Sequence, residues 1–192
     1  MKRLFLAAAC SFALVAGATV AFAAPPDAEH ARGGFGFHDL AAPVGLRWWL
    51  SGEKVGIDFG LGLTSTPDTN VDPNEKVMGF ALDVGVPFVM HSWQGVHFLF
   101  RPGILYQSQE VGFDSSPAPG IQFDTEKQTN LAVLAELEAE VYLRDNVSVS
   151  ASNGIAFATF DPGFGADSRT SFGTFGNNFT NVGFHVYFLG GH

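Results

Sequence analysis

The chain has 192 residues, 46% of them hydrophobic, and carries 19 acidic against 10 basic side chains, a formal net charge of −9. This acidity argues against nucleic-acid binding, which requires a basic surface, and the apolar content is too high for a disordered chain. Beyond residue 23, no segment has the ~18 consecutive apolar residues of a helical membrane span.

The first residues have the pattern of an export signal. Two basic residues follow Met1, and an apolar run then leads to the small-residue site Ala21-Phe22-Ala23. This order is typical of a cleaved secretory signal peptide. We predict a signal peptide over 1–23, a flexible lead-in over 24–32 and one domain over 33–192. Cys10 is the only cysteine of the chain, so the exported domain has no thiol or disulfide chemistry.

Alternation of apolar and polar residues is the main structural signal. Over residues 131–143 every second residue is apolar, and the intervening positions include three glutamates and a tyrosine. After a three-residue turn the alternation resumes over 147–157. Because side chains alternate across a strand, this pattern predicts a hairpin with one apolar and one polar face. The Ala, Leu and Glu content of this segment also favours a helix. A helix would, however, place Glu138 at the centre of its apolar stripe, so we interpret the segment as a strand.

The same alternation marks most of the remaining chain. Besides the hairpin, it predicts strands at 33–38, 44–50, 55–64, 77–89, 96–108 and 178–188. They are joined alternately by short turns (51–53, 90–95 and 144–146) and long polar loops (65–76, 109–127 and 161–175). This order predicts an all-β fold, an eight-stranded antiparallel up-and-down barrel, in which closure removes the sheet edges.

The functional class depends on which face of the strands points into the barrel. A periplasmic lipocalin-like barrel encloses an apolar ligand with its apolar residues, whereas a transmembrane barrel turns those residues toward lipid. Here the apolar row is almost free of charge, the opposite row is mostly Gly, Ala and Ser with single charges, and lysine is scarce. These features favour the transmembrane barrel.

The positions of the aromatic residues indicate which end of the barrel faces the periplasm. They cluster near the short turns or the end of the chain: Trp48, Trp49, Trp93, Tyr142, Tyr187 and Phe188. Aromatic rings settle at membrane interfaces, and short turns mark the periplasmic side of outer-membrane barrels. We predict that these side chains form an interface girdle on that side.

The polar row supplies candidates for a network inside the lumen. They are Arg47, Asp58, Asp83, His97, Arg101, Glu136, Glu138, Glu140 and His185. Arg101 and Glu138 lie at similar heights above their turns, so we expect them to meet on adjacent strands. Buried charges require partners or water, which favours a plug of salt bridges. The alternative to a plugged lumen rests on the surplus of five carboxylates over two arginines. This negative charge predicts a narrow pore that prefers cations.

The whole pattern resembles the small eight-stranded outer-membrane β-barrel proteins of Gram-negative bacteria. The segment GLRWWLSGEKVGIDFGLGL is similar to an opening hairpin of that family, and FHVYF is similar to its C-terminal assembly signal. Four residues follow Phe188, whereas such chains usually end on the aromatic residue. The resemblance implies a location in the cell outer membrane, contact with its lipid, and assembly by the barrel-assembly machinery through the last strand.

Loops carry recognition on rigid scaffolds, so we expect a structural or adhesive role, with an extracellular ligand on loops 65–76, 109–127 and 161–175.

The sequence does not match the enzyme and metal-binding motifs that it partly resembles. Outer-membrane lipid A deacylases have a Ser two residues after a His of the last strand, but Tyr187 follows His185 here. The segment DTNVDPNE is similar to a calcium loop, with Pro73 at the required glycine. We predict no catalytic residue, cofactor or metal.

Overall fold

The computed structural model describes residues 31–37, 39, 41–50, 54–68, 72–114, 123–144, 146–174 and 180–189. The predicted signal peptide and nearly all of the lead-in lie outside these ranges, as do the turn at 51–53 and the last three residues of the chain. The described residues form strands, turns and bends, and none of them belongs to a helix long and apolar enough to cross a membrane.

The described residues form ten strands: β1 (Ala31–Phe37), β2 (Val44–Trp49), β3 (Gly56–Asp68), β4 (Asp72–Gly85), β5 (Phe88–Trp93), β6 (Val96–Asp114), β7 (Phe123–Arg144), β8 (Val147–Asp161), β9 (Arg169–Gly173) and β10 (Thr180–Leu189). They make eight strands of the barrel wall, here called staves, because β4 and β5 both pair with β6, and β9 and β10 both pair with β8. Strand β1 pairs antiparallel with β2 and with β10, which closes the sheet. The predicted eight-stranded antiparallel up-and-down barrel is confirmed.

The predicted strand 77–89 is divided at Pro87, which separates β4 from β5. Proline has no N–H group for the ladder, and the neighbouring backbone finds other partners. Val86 donates to the Pro102 carbonyl and Val89 to the Lys54 carbonyl, each at 2.9 Å. The interrupted strand therefore stays in the barrel wall, since β4 and β5 both pair with β6.

At the end with long connections, the strands extend well past their predicted limits. Pairing of β6 with β7 continues to Asp114 opposite Phe123, and β3 pairs with β4 out to Asp68 opposite Asp72. Strand β9 lies within the predicted loop 161–175. The loop predictions were wrong over much of their length, because ladder hydrogen bonds continue where apolar alternation stops.

At the opposite end the connections are tight. Strand β5 continues to Trp93, so only Gln94 and Gly95 turn the chain into β6, and Gly95 has a positive φ of 74°. The predicted link 90–95 was therefore too long. The barrel is asymmetric, with flush turns at one end and protruding hairpins at the other.

The two faces of the wall have opposite chemistry. Large apolar side chains point outward on every stave, for example Phe59 at 44% and Ile104 at 52% exposed. Charged side chains point inward, and Arg47 and Glu138 are fully buried. The apolar rows predicted from the sequence thus form the outer surface of the barrel.

Candidate functional site

The lower lumen, toward the flush turns, is crossed by Arg47 of β2. Its guanidinium pairs with Asp58, the residue directly opposite it on β3, through two hydrogen bonds of 2.8 Å. The same group reaches across the barrel to β7, where it donates to Glu138 at 2.8 and 3.0 Å and to Glu140 at 3.2 Å. Arg47 therefore ties together staves that are not neighbours in the sheet.

Arg101 of β6 forms the second centre of this network. It donates to Asp58 at 2.8 Å, to Asp83 of β4 at 2.6 Å and to Glu136 of β7 at 3.2 Å. Asp58 bridges the two arginines, since each of its oxygens accepts from one or both of them. Glu136 also accepts a hydrogen bond of 3.2 Å from the Asn181 amide on β10.

The expected pairing of Arg101 with Glu138 was wrong. Glu136 lies opposite Arg101 in the ladder, while Glu138 lies opposite Leu99 and binds Arg47. The expected pairing assumed equal heights of Arg101 and Glu138 above two turns at the flush end. Strands β6 and β7 follow one another at the long-connection end, so heights counted from the flush end do not give their register.

Glu140 links the charged network to the layer beneath it. Its carboxylate accepts from the Ser148 hydroxyl at 2.6 Å, from the Tyr187 hydroxyl at 2.5 Å and, more weakly, from the Tyr142 hydroxyl at 3.5 Å. The His185 Nδ1 atom lies 3.9 Å from the same carboxylate. This one carboxylate therefore collects groups from β2, β7, β8 and β10.

A buried apolar and aromatic layer lies in the lumen near the flush turns. Trp49, Leu99, Tyr142 and Tyr187 pack together there. The His97 ring meets Tyr142 edge to face, with ring centroids 5.1 Å apart, and meets Trp49 at 6.3 Å. The charged network lies directly above this aromatic layer.

The structure divides the predicted interface aromatics into two groups. Trp48, Trp93 and Phe188 point outward and are 56%, 55% and 61% exposed. Tyr142 and Tyr187, each 2% exposed, point into the lumen, so their prediction as interface residues was wrong. Trp49 also belongs to the interior layer. Parity explains the difference, since Tyr142 follows Glu136, Glu138 and Glu140 on the inward face of β7.

The nine residues predicted for the lumen are all buried inside the barrel. Asp39, in the link between β1 and β2, is a further lumen residue that was not predicted. Its carboxylate is 1% exposed and accepts the Ala41 N–H at 2.7 Å. Burial raises the pKa of Asp39, while the Ala41 hydrogen bond and the charge of Arg101 oppose the shift. An aspartate two residues before such a donor is an Asx-turn signal, which strand alternation does not detect.

This link folds into the lumen rather than away from it. Ala42 is completely buried, and a Cβ atom at Gly62 would overlap the Ala41 carbonyl. Glycine on β3 therefore makes room for the link. Among the described residues the interior holds six buried carboxylates and two guanidinium groups: Asp39, Asp58, Asp83, Glu136, Glu138 and Glu140 with Arg47 and Arg101.

Above the charged network the lumen opens into a cavity of about 580 Å³, here called the upper cup. Its floor contains small and apolar side chains, including Leu105, Ala132, Leu134 and Ala156, which pack together. Neutral polar side chains such as Asn130 and Gln128 occur among its walls. The described residues that line the cup carry no charged side chain.

Comparisons with protein-family models, with curated proteins and with solved structures found no match. Within the described ranges, no group of three or more His, Cys, Asp or Glu side chains is arranged to hold a metal ion. Arginine nitrogens occupy the space between the lumen carboxylates instead.

Proposed function

We propose that the chain is an outer-membrane β-barrel with a plugged lumen, which serves as a rigid scaffold for recognition at its long-hairpin end. One observation carries the proposal, the inversion of polarity across the barrel wall. Apolar side chains cover the outside while the interior is filled by ion pairs. Water-soluble proteins rarely expose contiguous apolar patches larger than a few hundred Å².

The height of the apolar surface supports insertion in a bilayer. On β7 the outward apolar row covers residues 131–143, roughly 40 Å along the strand at ~3.3 Å per residue. A strand tilt near 45° turns this length into about 28 Å of height, close to the ~25 Å apolar band of outer-membrane barrels. Trp48, Trp93 and Phe188 lie at the lower limit of this belt, as expected of an interfacial girdle.

The filled lower lumen argues for a scaffold rather than a pore. Ion pairs run from Arg47 and Arg101 to carboxylates on three other strands, β3, β4 and β7. The aromatic layer of Trp49, Tyr142 and Tyr187 lies beneath them. An ion would have to displace paired charges and a packed layer, so we expect purified protein to be silent in planar bilayers. A cation-selective conductance abolished by Glu138→Ala would favour the narrow pore instead.

The orientation of the rows also argues against a periplasmic barrel that encloses an apolar ligand. That alternative needs Phe59 and Phe184 inside, yet they are 44% and 43% exposed. It would also place the charged row in water, where its five carboxylates would have no need of buried partners. Solubility without detergent would favour this alternative.

The protruding hairpins are braced in a way that suits a recognition platform. Glu110 of β6 lies opposite Lys127 of β7 and accepts a 3.0 Å hydrogen bond from the Met78 N–H of β4. The rings of Phe113 and Phe164 meet edge to face, with centroids 5.0 Å apart, which connects this hairpin to the segment after β8. These contacts favour loop-mediated binding, since they hold the exposed end in one shape.

Heat-modifiable gel mobility of detergent-extracted cell envelopes tests the proposal. A closed membrane barrel resists detergent until it is boiled, so the unboiled protein should migrate faster and should occur only in the outer-membrane fraction. A soluble periplasmic protein with one mobility would contradict the proposal. The same gel provides a folding control for every variant described below.

A further inference from the structure

We propose that the upper cup binds an uncharged saccharide of one or two rings. The inference rests on the proposed function, because it takes the cup to open on the outer, long-hairpin side of the membrane. The lining includes Thr64 of β3, Gly79 of β4, Gln109 of β6 and Ser171 of β9. These residues lie where the hairpins begin, so the mouth of the cup is at the hairpin end.

The cavity is created by small side chains on the same strands that fill the lower lumen. On β7 the inward series changes from Tyr142 and three glutamates to Leu134 and Ala132, and β8 places Ala156 and Ala158 beside them. Protein interiors are normally filled to crystal-like density. A cavity of about 580 Å³ lies within the ~300–1,000 Å³ range of small-molecule sites.

The lining combines an apolar floor with neutral amides in the walls. Asn130 donates a 2.9 Å hydrogen bond to the Gln107 side chain, directly opposite it on β6, and Gln128 lies one inward position higher on β7. Each amide carries both donors and an acceptor. Sugar hydroxyls also donate and accept, while the C–H faces of a sugar ring can lie on Leu105 and Leu134.

Other ligand classes fit this lining less well. A charged ligand would lose its hydration without meeting an opposite charge in the lining, which is costly in a confined site. An alkyl chain would match the floor but would remove water from the wall amides without replacing its hydrogen bonds. The balance of the lining therefore favours a neutral, polyhydroxylated molecule.

The cup is also preformed. Ala41 and Pro43 of the inward link make one wall, and the Asp39 carboxylate holds this link through the Ala41 N–H at 2.7 Å. A Cβ atom at Gly62 would overlap the Ala41 carbonyl, so the wall fits closely on β3. A rigid site loses less entropy when its ligand binds.

The experiment uses the purified barrel in a zwitterionic detergent, because a maltoside detergent would compete for the site. Glucose, galactose, maltose and lactose are titrated one at a time, with glucuronate and a fatty acid as the charged and alkyl comparisons, and side-chain amide signals of Asn and Gln are followed by NMR. We expect at least one neutral sugar to shift amide signals that are lost in Asn130→Leu. Ala132→Phe should abolish binding by filling the cup. The matched control Val133→Phe changes the next residue, which points outward, and should bind as the wild type does.

Three results would overturn the site: no response of the wild type to any sugar in the panel, unchanged binding in Ala132→Phe, or tighter binding of glucuronate or a fatty acid. Heat-modifiable mobility of each sample is measured first. A heat-modifiable wild type without sugar binding contradicts only the saccharide site, whereas a wild type without heat-modifiable mobility contradicts the proposed function. If Ala132→Phe does not fold, Asn130→Leu, which preserves the cavity and removes one wall amide, decides the question.

Discussion

The lower and upper halves of the lumen lie on the same strands but are filled in different ways. In the lower half, two arginines and the five carboxylates of β3, β4 and β7 occupy the space, and each guanidinium contacts three or more carboxylate oxygens. In the upper half, alanines and neutral amides leave about 580 Å³ open. The difference indicates that a few inward residues per strand separate a filled lumen from an open cup, while the outer surface stays apolar along both halves.

The largest expected effect comes from removing a charge at the centre of the plug. Arg47→Leu would leave Asp58, Glu138 and Glu140 buried without their shared cation. Removal of one partner from a buried ion pair costs about 3–5 kcal/mol. We expect loss of heat-modifiable mobility or a large fall in the urea midpoint for unfolding from lipid vesicles. Arg144→Leu is the matched control, since this arginine is exposed, and it should unfold like the wild type.

The outer surface can be tested independently of the lumen. Leu137 points outward near the middle of the belt on β7 and is 49% exposed. An arginine at the bilayer midplane costs about 2–4 kcal/mol in a membrane barrel, so Leu137→Arg should destabilise the protein in vesicles by that amount. Thr66→Arg, on the exposed hairpin end of β3, should have little effect. Equal stability of the two variants would mean that no lipid contacts Leu137.

The hydrogen bonds of Glu140 offer a finer comparison inside the plug. The Tyr187 hydroxyl donates to this carboxylate at 2.5 Å, and the Tyr142 hydroxyl approaches it only to 3.5 Å. Hydrogen bonds to charged groups contribute about 1.5–3 kcal/mol. Tyr187→Phe should therefore lower the free energy of unfolding by roughly this amount, and Tyr142→Phe by clearly less. The reverse order in urea unfolding would contradict the assigned roles.

The smallest expected effects are changes in stability that compare the lower and upper lumen on one strand, β8. Ser152 and Ala156 share the inward face of β8, the first in the plug and the second in the cup. Overpacking a filled interior costs typically ~1–3 kcal/mol, so Ser152→Leu should destabilise the barrel. Ala156→Leu should be neutral or stabilise it by ~1 kcal/mol, because the new side chain enters open space. Similar losses in both variants would show that the cup is not open in solution.

Part of the site could be predicted from the sequence and part could not. Alternation placed Arg47, Glu136 and Glu138 on the inward row, because the side-chain period of a strand is a local property. The partner of each arginine was not predictable in the same way. Arg47 meets Glu138 across the lumen, a contact between residues 91 positions apart, and only the diameter and stagger of the closed barrel bring them together.

Four features were missed for related reasons. Asp39 enters the lumen on an irregular link, the hairpins continue beyond the apolar belt, Pro87 divides one stave, and Tyr187 faces a carboxylate rather than the interface. Link geometry and ladder length do not change the hydrophobic period, so the sequence carries no signal for them beyond the end of the apolar alternation. For Tyr187, proximity to the chain end suggested a girdle, although its parity already placed it beside His185 on the inward row.

The sequence by itself determined an all-β chain, its strands in order, and which row of side chains is apolar. These properties follow from a two-residue period that each strand carries alone. Tertiary structure decided the register between strands, the ion pairs across the lumen, the inward fold of the first link and the open volume of the cup. Each of these depends on how the staves are staggered when the barrel closes, and closure is a property of all eight staves together.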